Sequence, residues 1–599
     1  MLNLNRFISA VALSAVWLIS LPALPCRGQD AEPVSGNMSV VDASKGSDAA
    51  IAPDVLRQID RLWDLKAARK GSFDVETLSS VVEDGYRTDE LYFTSRTTAA
   101  GPDRVFITFS RPVNPVPKEP GYIDLTGGRE LAGVKWLARQ YRGAVLDIEW
   151  RSPSLPYHTK WAKPSPQALF GLNPDLNDDF NTMFAIAIMR AIDYLQAQPG
   201  IDPKRIACGG GSMGGWYSML AAGLDRRVSC VYDAYAAGQN VAVALDALPA
   251  DKQRIWRRAF DPMTYAGKTA ASTLMYIGTN DYFFPPDHAT AHFARLSGVK
   301  RILFLPNVNH NFAAFGQQLP GVDKAWIDYC YHGAPAFPVI STPIHKGRVY
   351  RWKVRGPVAI ASSTLYWSPG RPIWPGRYWL SSPGVEHNGV WSAEIPERYA
   401  ALCGAVFVNA FDKDGRGVSS QMVTRPGIDP QKPKTEQKQL LPQWTGNALW
   451  DLERGALAWR RPGPAHDYAL WSEDLEFATP SGFQVTSTDA ANKFAVITNS
   501  VILASGSAGA HSGVLLTIDG LGKPGELTVT LERNSGNQYR LAFSANVSYT
   551  AGTVTVRIPW ADFKPRDDAK GLPYPFDSLR IEGDREKGSA LKFTQIELW

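Results

Sequence analysis

The sequence predicts an α/β protein built on a mostly parallel sheet, followed by two all-β domains, the first a small β-sandwich. Short apolar strands alternate with helical segments from about residue 90 to 331, which implies crossover connections and a sheet covered on both faces. Within that stretch, Ile206-Ala207-Cys208-Gly209-Gly210-Gly211-Ser212-Met213-Gly214-Gly215-Trp216 joins an apolar strand to a helix through a glycine-flanked serine. From about residue 338 Pro, Gly, Trp and Tyr become frequent and two-residue alternation takes over.

The elements follow in order. Arg6 and the apolar run from Phe7 to Leu21 read as a secretory signal ending by residue 28, since the run is too short for a comfortable span. Residues 29–52, rich in Ala, Ser, Asp and Gly, read as a disordered leader. The first folded domain is expected over 53–337, with a helix at 53–69, strands at 90–97 and 104–110, and a helix near 128–142. Strand 144–149, helix 179–196, strand 205–209 and helix 213–224 come next. After these the pattern gives strand 228–232, a helix-rich insertion at 237–260, strand 273–278, helix 287–296, strand 301–305 and helix 322–331. A β-sandwich is expected over 338–425, with Asp412-Lys413-Asp414-Gly415 as a hairpin turn. The prolines at 426, 430, 433 and 442 mark a linker over 426–443, and residues 444–599 read as the second all-β domain.

Composition narrows the function classes. At 599 residues the chain is too long for one core. A net charge of +5 spread without a long Lys/Arg block argues against nucleic acid as a partner. No segment beyond the signal approaches 18 continuous apolar residues, so the mature chain is expected to be soluble and secreted or periplasmic. With Cys26 in the signal region, four cysteines remain, Cys208, Cys230, Cys330 and Cys403. They are too few for a disulfide framework, and their spacing does not suit zinc. Cys208 and Cys230 read as small core residues in buried strands.

A serine nucleophile needs a base, a carboxylate to orient that base, and N–H donors for the oxyanion. On a sheet of this kind chemistry gathers at the carboxyl ends of strands. Ser212, Asp281 and His310 fall at three successive strand ends in the order nucleophile, acid, base. Asp287 is a rival acid but stands where a helix starts and reads as an N-cap. His288 and His292, four apart, would suit a metal but read as solvent-exposed without a third ligand nearby. The first oxyanion donor is expected from the Met213 N–H, and the second from Ser110, Arg111 or Val113 around the end of the strand at 104–110, where no His-Gly pair occurs and Pro112 cannot donate. Trp150, Arg151, Tyr157 and Trp216 are substrate-binding candidates; Arg151 has the fork to clamp a carboxylate. No metal or organic cofactor is called for.

The run Gly210-Gly211-Ser212-Met213-Gly214-Gly215-Trp216, the segment Asp281-Tyr282-Phe283-Phe284-Pro285-Pro286-Asp287, and Leu305-Pro306-Asn307 through His310 resemble the PhoPQ-activated pathogenicity-related proteins. That resemblance implies an α/β-hydrolase fold. Residues from Asp179 to Gly215 also look like acetyl xylan esterases and serine hydrolases of the prolyl oligopeptidase group, while Met213 departs from the basic residue the first family usually has there. The C-terminal runs Thr553-Val554-Thr555-Val556-Arg557-Ile558-Pro559-Trp560 and Phe593-Thr594-Gln595-Ile596-Glu597-Leu598-Trp599 resemble galactose-binding-like jelly rolls of carbohydrate-binding modules. Eleven of the 19 tryptophans lie beyond residue 340, a distribution that suits either sugar stacking or core packing.

Together these features predict an exported serine hydrolase that cleaves carboxylic esters, on a small molecule or a polysaccharide, with a possible glycan at the C-terminal domain. Two alternatives stand beside it: a serine peptidase of the prolyl oligopeptidase group, and a catalytically silent binding protein.

Overall fold

The computed structural model describes residues 51–424, strand segments between 460 and 498, and most of 509–599. The longest stretches left out before residue 424 are 151–154, 164–169, 240–244, 311–320 and 370–378. The expected signal at 1–28, nearly all of the leader and the linker at 426–443 lie outside the described residues. Among the described residues no helix is long and apolar enough to cross a membrane.

Nine strands form the main sheet: β1 (Glu76–Glu83), β2 (Tyr86–Thr98), β3 (Gly101–Pro112), β4 (Glu119–Asp124), β5 (Ala144–Ile148), β6 (Ile201–Gly211), β7 (Val228–Ala234), β8 (Ser272–Gly278) and β9 (Lys300–Leu305). They lie in the order β1-β2-β3-β5-β4-β6-β7-β8-β9. β4 to β9 run parallel, while β3 pairs antiparallel with both β2 and β5. From β2 onward this is the α/β-hydrolase arrangement.

The helices of ten or more residues among the described ones are α1 (Pro53–Leu62), α2 (Leu131–Tyr141), α3 (Phe180–Gln196), α4 (Met213–Leu224), α5 (Ala250–Phe260), α6 (Pro286–Arg295) and α7 (Val322–Tyr331). α2 and α7 cover one face of the sheet, where Tyr122, Tyr232 and Tyr276 meet Val134, Leu137 and Trp326. The other face is packed by α1 and α3 to α6, with Ile123, Leu146, Val231 and Ile277 beneath Phe184, Ile188 and Trp216. Asp179 caps α3 by accepting from the Asn181 N–H.

Two strands escaped the sequence reading, β1 and β4. β4 is the consequential one. Its residues include Glu119, Pro120 and Gly121, which look like a turn, yet all six are buried between β5 and β6. Proline is tolerated because it stands near the strand's start.

Beyond β9, one antiparallel sheet holds Ile344–Lys346, Val349–Trp352, Val390–Glu394 and Val385–His387. A second holds Leu380–Pro383, Ile360–Pro369, Cys403–Asp412 and Gly417–Ser419. The expected hairpin turn closes with Gly415 N–H donating to Asp412 C=O at 3.0 Å. Further on, two more antiparallel sheets share one core of Val514, Leu516, Val529, Phe543, Ile581, Phe593 and Leu598. Of the tryptophans beyond residue 340, Trp352, Trp367 and Trp379 are buried, and no described one is among the exposed large apolar side chains.

The outer edge of β9 would offer unpaired backbone groups. Instead, Phe304 N–H donates to Ser419 Oγ at 2.7 Å and Asn409 Nδ2 donates to Phe304 C=O at 3.0 Å. Ser419 Oγ donates in turn to Asn409 Oδ1, closing a small ring of side-chain hydrogen bonds. Asn409→Ala should therefore strand a buried carbonyl and a buried hydroxyl and cost about 1–3 kcal/mol, read as a lower urea midpoint with unchanged slope.

Candidate active site

Ser212 stands between β6 and α4 with φ 55° and ψ −123°, outside the regions a side-chain-bearing residue prefers. Its N–H donates to Ala234 C=O at 2.8 Å, pinning the turn to the end of β7. Small neighbours are obligatory here. A Cβ on Gly214 would lie 2.0 Å from the Leu125 carbonyl oxygen, and one on Gly210 would meet the Gly214 backbone at 3.0 Å. This is the geometry of a nucleophile elbow.

The structure brings the three expected side chains together. Ser212 Oγ lies 2.6 Å from His310 Nε2, and His310 Nδ1 lies 2.9 Å from Asp281 Oδ2. Asp281 is fully buried, and its other oxygen accepts the N–H groups of Phe283 and Phe284, each at 2.8 Å. One carboxylate oxygen is thus fixed by backbone and the second faces the imidazole. With an acceptor beyond Nδ1, that nitrogen carries a proton and Nε2 presents its lone pair to the serine. The rings of Tyr235 and Phe283 stand edge-on to the imidazole, with centroids at 4.9 and 5.0 Å, and Phe284 tilts against it at 5.8 Å.

Met213 is the first residue of α4, so its N–H has no partner within the helix and points out of the helix start beside Ser212. The second donor is where the sequence reading fails. Ser110 and Arg111 lie near the end of β3, which runs against the parallel strands, so they sit at the opposite end of the strands. Ser110 pairs with Val145, is buried and shares a hydrogen bond with Thr88 Oγ1, while Arg111 donates to Gln198 after α3. The loop that reaches the elbow follows β4 instead. Leu125 N–H donates to Gly209 C=O at 2.9 Å, which places Leu125 against Gly210 and Gly214 at the start of the segment Thr126-Gly127-Gly128. The Gly127-Gly128 pair was the available signal, hidden because β4 was missed.

The substrate-side candidates separate. Trp150 borders the loop after β4: a Cβ on Gly127 would come within 3.2 Å of its Nε1, and its ring packs on Phe180, Phe184 and Tyr217. Trp216 is fully buried and stacks on Trp256 at 5.6 Å, so it belongs to the core. Tyr157 rests on Phe106 of β3, three strands from β6 or roughly 14 Å by strand spacing, away from Ser212. Arg151 lies outside the described residues.

Other residues near the site differ from expectation. Asp287 is the second residue of α6, after Pro286, and is not its N-cap. His288 Nδ1 lies 2.8 Å from the Gln239 carbonyl, and His292 is buried, with Nδ1 accepting the Gly238 N–H at 2.9 Å. No group of three or more metal-ligating side chains occurs among the described residues. Asp233, unforeseen from sequence, is buried at the end of β7 where Gly215 leaves room for it. Burial, and then the charge of Asp281, push its carboxyl well above the usual range.

Residues 249–366 match the family described as PhoPQ-activated pathogenicity-related protein, a span that includes Asp281 and His310. The chain is 28% identical over 138 residues to acetyl esterase Axe7A of Xylanibacter ruminicola, covering 21% of this chain and 31% of that protein. It therefore spans about a third of the length of that curated relative. Solved structures similar to it include acetyl xylan esterase 1 from Thermoanaerobacterium sp., 17% identical with TM-score 0.37, covering 47% of this chain and 95% of that one. Another is a glucuronoyl esterase from Solibacter usitatus, 11% identical with TM-score 0.32, covering 46% and 92%. The chain resembles the α/β-hydrolases that its motifs suggested.

Burial, then the charge of Arg295, hold the His292 imidazole down at about 3, against about 6.5 in an unfolded chain. Between those values the unfolded state binds a proton that the folded state refuses. The associated stability is complete above pH 6.5 and is lost as pH falls toward 3. Going from pH 7 to pH 5 should cost the native protein about 1–2 kcal/mol more than His292→Gln, measured as the difference in urea unfolding free energy.

Proposed function

We propose that this protein is an exported serine hydrolase that cleaves carboxylic esters, with an acetylated glycan or glycoside as its substrate class. The single observation that carries the reading is the unbroken run of contacts from Ser212 Oγ through His310 to Asp281, at 2.6 and 2.9 Å. The partial match to a protein named an acetyl esterase supports the choice of acyl group.

In this mechanism His310 Nε2 takes the hydroxyl proton as Ser212 Oγ attacks the ester carbonyl. The carbonyl π electrons move to oxygen, and the resulting oxyanion faces the Met213 N–H and the loop after β4. Asp281 offsets the positive charge that His310 gains: two backbone N–H groups hold one of its oxygens and the other faces the imidazolium. Collapse expels the alcohol, which receives the proton from His310. Water, deprotonated by the same imidazole, then releases the acid and restores the serine.

Ser212→Ala should lower kcat on p-nitrophenyl acetate by at least about 10³-fold with an unaltered melting midpoint, and should abolish labelling by a fluorophosphonate. Turnover within tenfold of the native enzyme would reject Ser212 as nucleophile. A panel of acetyl, feruloyl and glucuronoyl esters assigns the acyl group, and preference for a bulky acyl ester over acetyl would overturn that part of the reading.

A further inference from the structure

Cys230 and Cys330, 100 positions apart, bring their sulfur atoms to 2.9 Å. Cys230 is the third residue of β7 and is buried. Cys330 is in the last turn of α7 and is partly exposed. The helix is held in register on the strand from both sides of the pair: Trp326 Nε1 donates to Val231 C=O at 2.9 Å, and Tyr331 and Ser229 share a hydrogen bond of 2.7 Å. A disulfide bond is about 2.0 Å long, so closure requires movement of less than an ångström. The remaining described cysteines are placed apart from this pair: Cys208 packs on the opposite face of the sheet, and Cys403 lies in a different sheet with its Sγ 3.7 Å from Ala405 C=O.

We propose that Cys230 and Cys330 form a disulfide that fastens α7 to β7 when the chain meets an oxidising compartment. A small-molecule disulfide such as oxidised glutathione supplies the oxidant. Cys330, the accessible thiol, loses its proton and attacks one sulfur of the oxidant, forming a mixed disulfide and releasing one thiol. Burial pushes the Cys230 thiol well above the usual range, so it follows second. Its sulfur displaces the oxidant's remaining sulfur from Cys330. In sum, two protein thiols and one small disulfide become one protein disulfide and two small thiols, with two electrons passing to the oxidant.

The bond would close a loop of the chain that contains both Asp281 and His310. Long loops are those whose closure removes most freedom from the unfolded chain. It would also hold the helix that follows the His310 loop against the strand whose end leads to Tyr235, the ring that packs on His310.

The test uses the purified full-length chain, equilibrated under native conditions with oxidised glutathione, alkylated and digested without reductant. Peptide masses should show Cys230 linked to Cys330, lighter by two hydrogens than the separate peptides, while Cys208 and Cys403 carry the alkyl group. Reductant should then lower the melting midpoint by about 5–10 °C, whereas Cys330→Ser should melt at the reduced temperature and not respond. Recovery of Cys230 and Cys330 alkylated, or of Cys330 held only as a glutathione adduct, would overturn the proposal. Peptide mapping of the native sequence decides between these outcomes even where the variant fails to fold.

Discussion

The close approach of two backbones, the turn at Gly210–Gly214 and the loop at Leu125, is the constraint on which the site depends. Ser212 adopts a positive φ at a cost that the surroundings must offset. They do so by enclosing it: Ala234 C=O accepts its N–H, Leu125 lies against Gly214, and the Leu125 N–H is spent on Gly209 C=O. Relaxing the turn would break strand pairing on both sides of β6, so the strain persists. The same packing presents the start of α4, with its open N–H at Met213, beside the hydroxyl.

Charge at the site is handled by an unequal treatment of carboxylates. Asp281 is fully buried yet supplied with two backbone donors and an imidazole. Asp233, close enough to feel its charge, is pushed toward the protonated form. Two ionised carboxylates within reach of each other's charge in so dry a place would repel one another. Asp281 is the carboxylate that reaches His310, and its Oδ2 orients the imidazole.

Legibility in the sequence followed physical distinctness. Ser212, Asp281 and His310 were readable because each follows an apolar strand and small or polar residues mark the strand's end. The two-sided packing of β6 to β9 gave continuous apolar runs. β4 was not readable because Glu119, Pro120 and Gly121 carry turn chemistry while the surrounding strands, not the residues, dictate extension. That single omission hid the loop after β4 and sent the expectation to Ser110 and Arg111, which sit at the opposite end of the strands. Trp216 was ambiguous for a different reason: an aromatic just past an elbow can face either substrate or core, and only Trp256, forty residues on, decides it. His292 was misjudged because burial at a helix position depends on Gly238, a contact no local pattern encodes.

The β-rich region after residue 338 bears on the position of His310. His310 rides on the segment following β9, an edge strand, and edge strands are the part of a sheet most free to fray. Here Asn409 and Ser419 satisfy both backbone groups of Phe304, and Phe407 packs on its ring at 5.3 Å. A tenth strand would have done the same only by exposing a new edge. Side-chain capping ends the sheet instead, and it makes the antiparallel region part of the support of His310 rather than an appendage to the sheet that carries it.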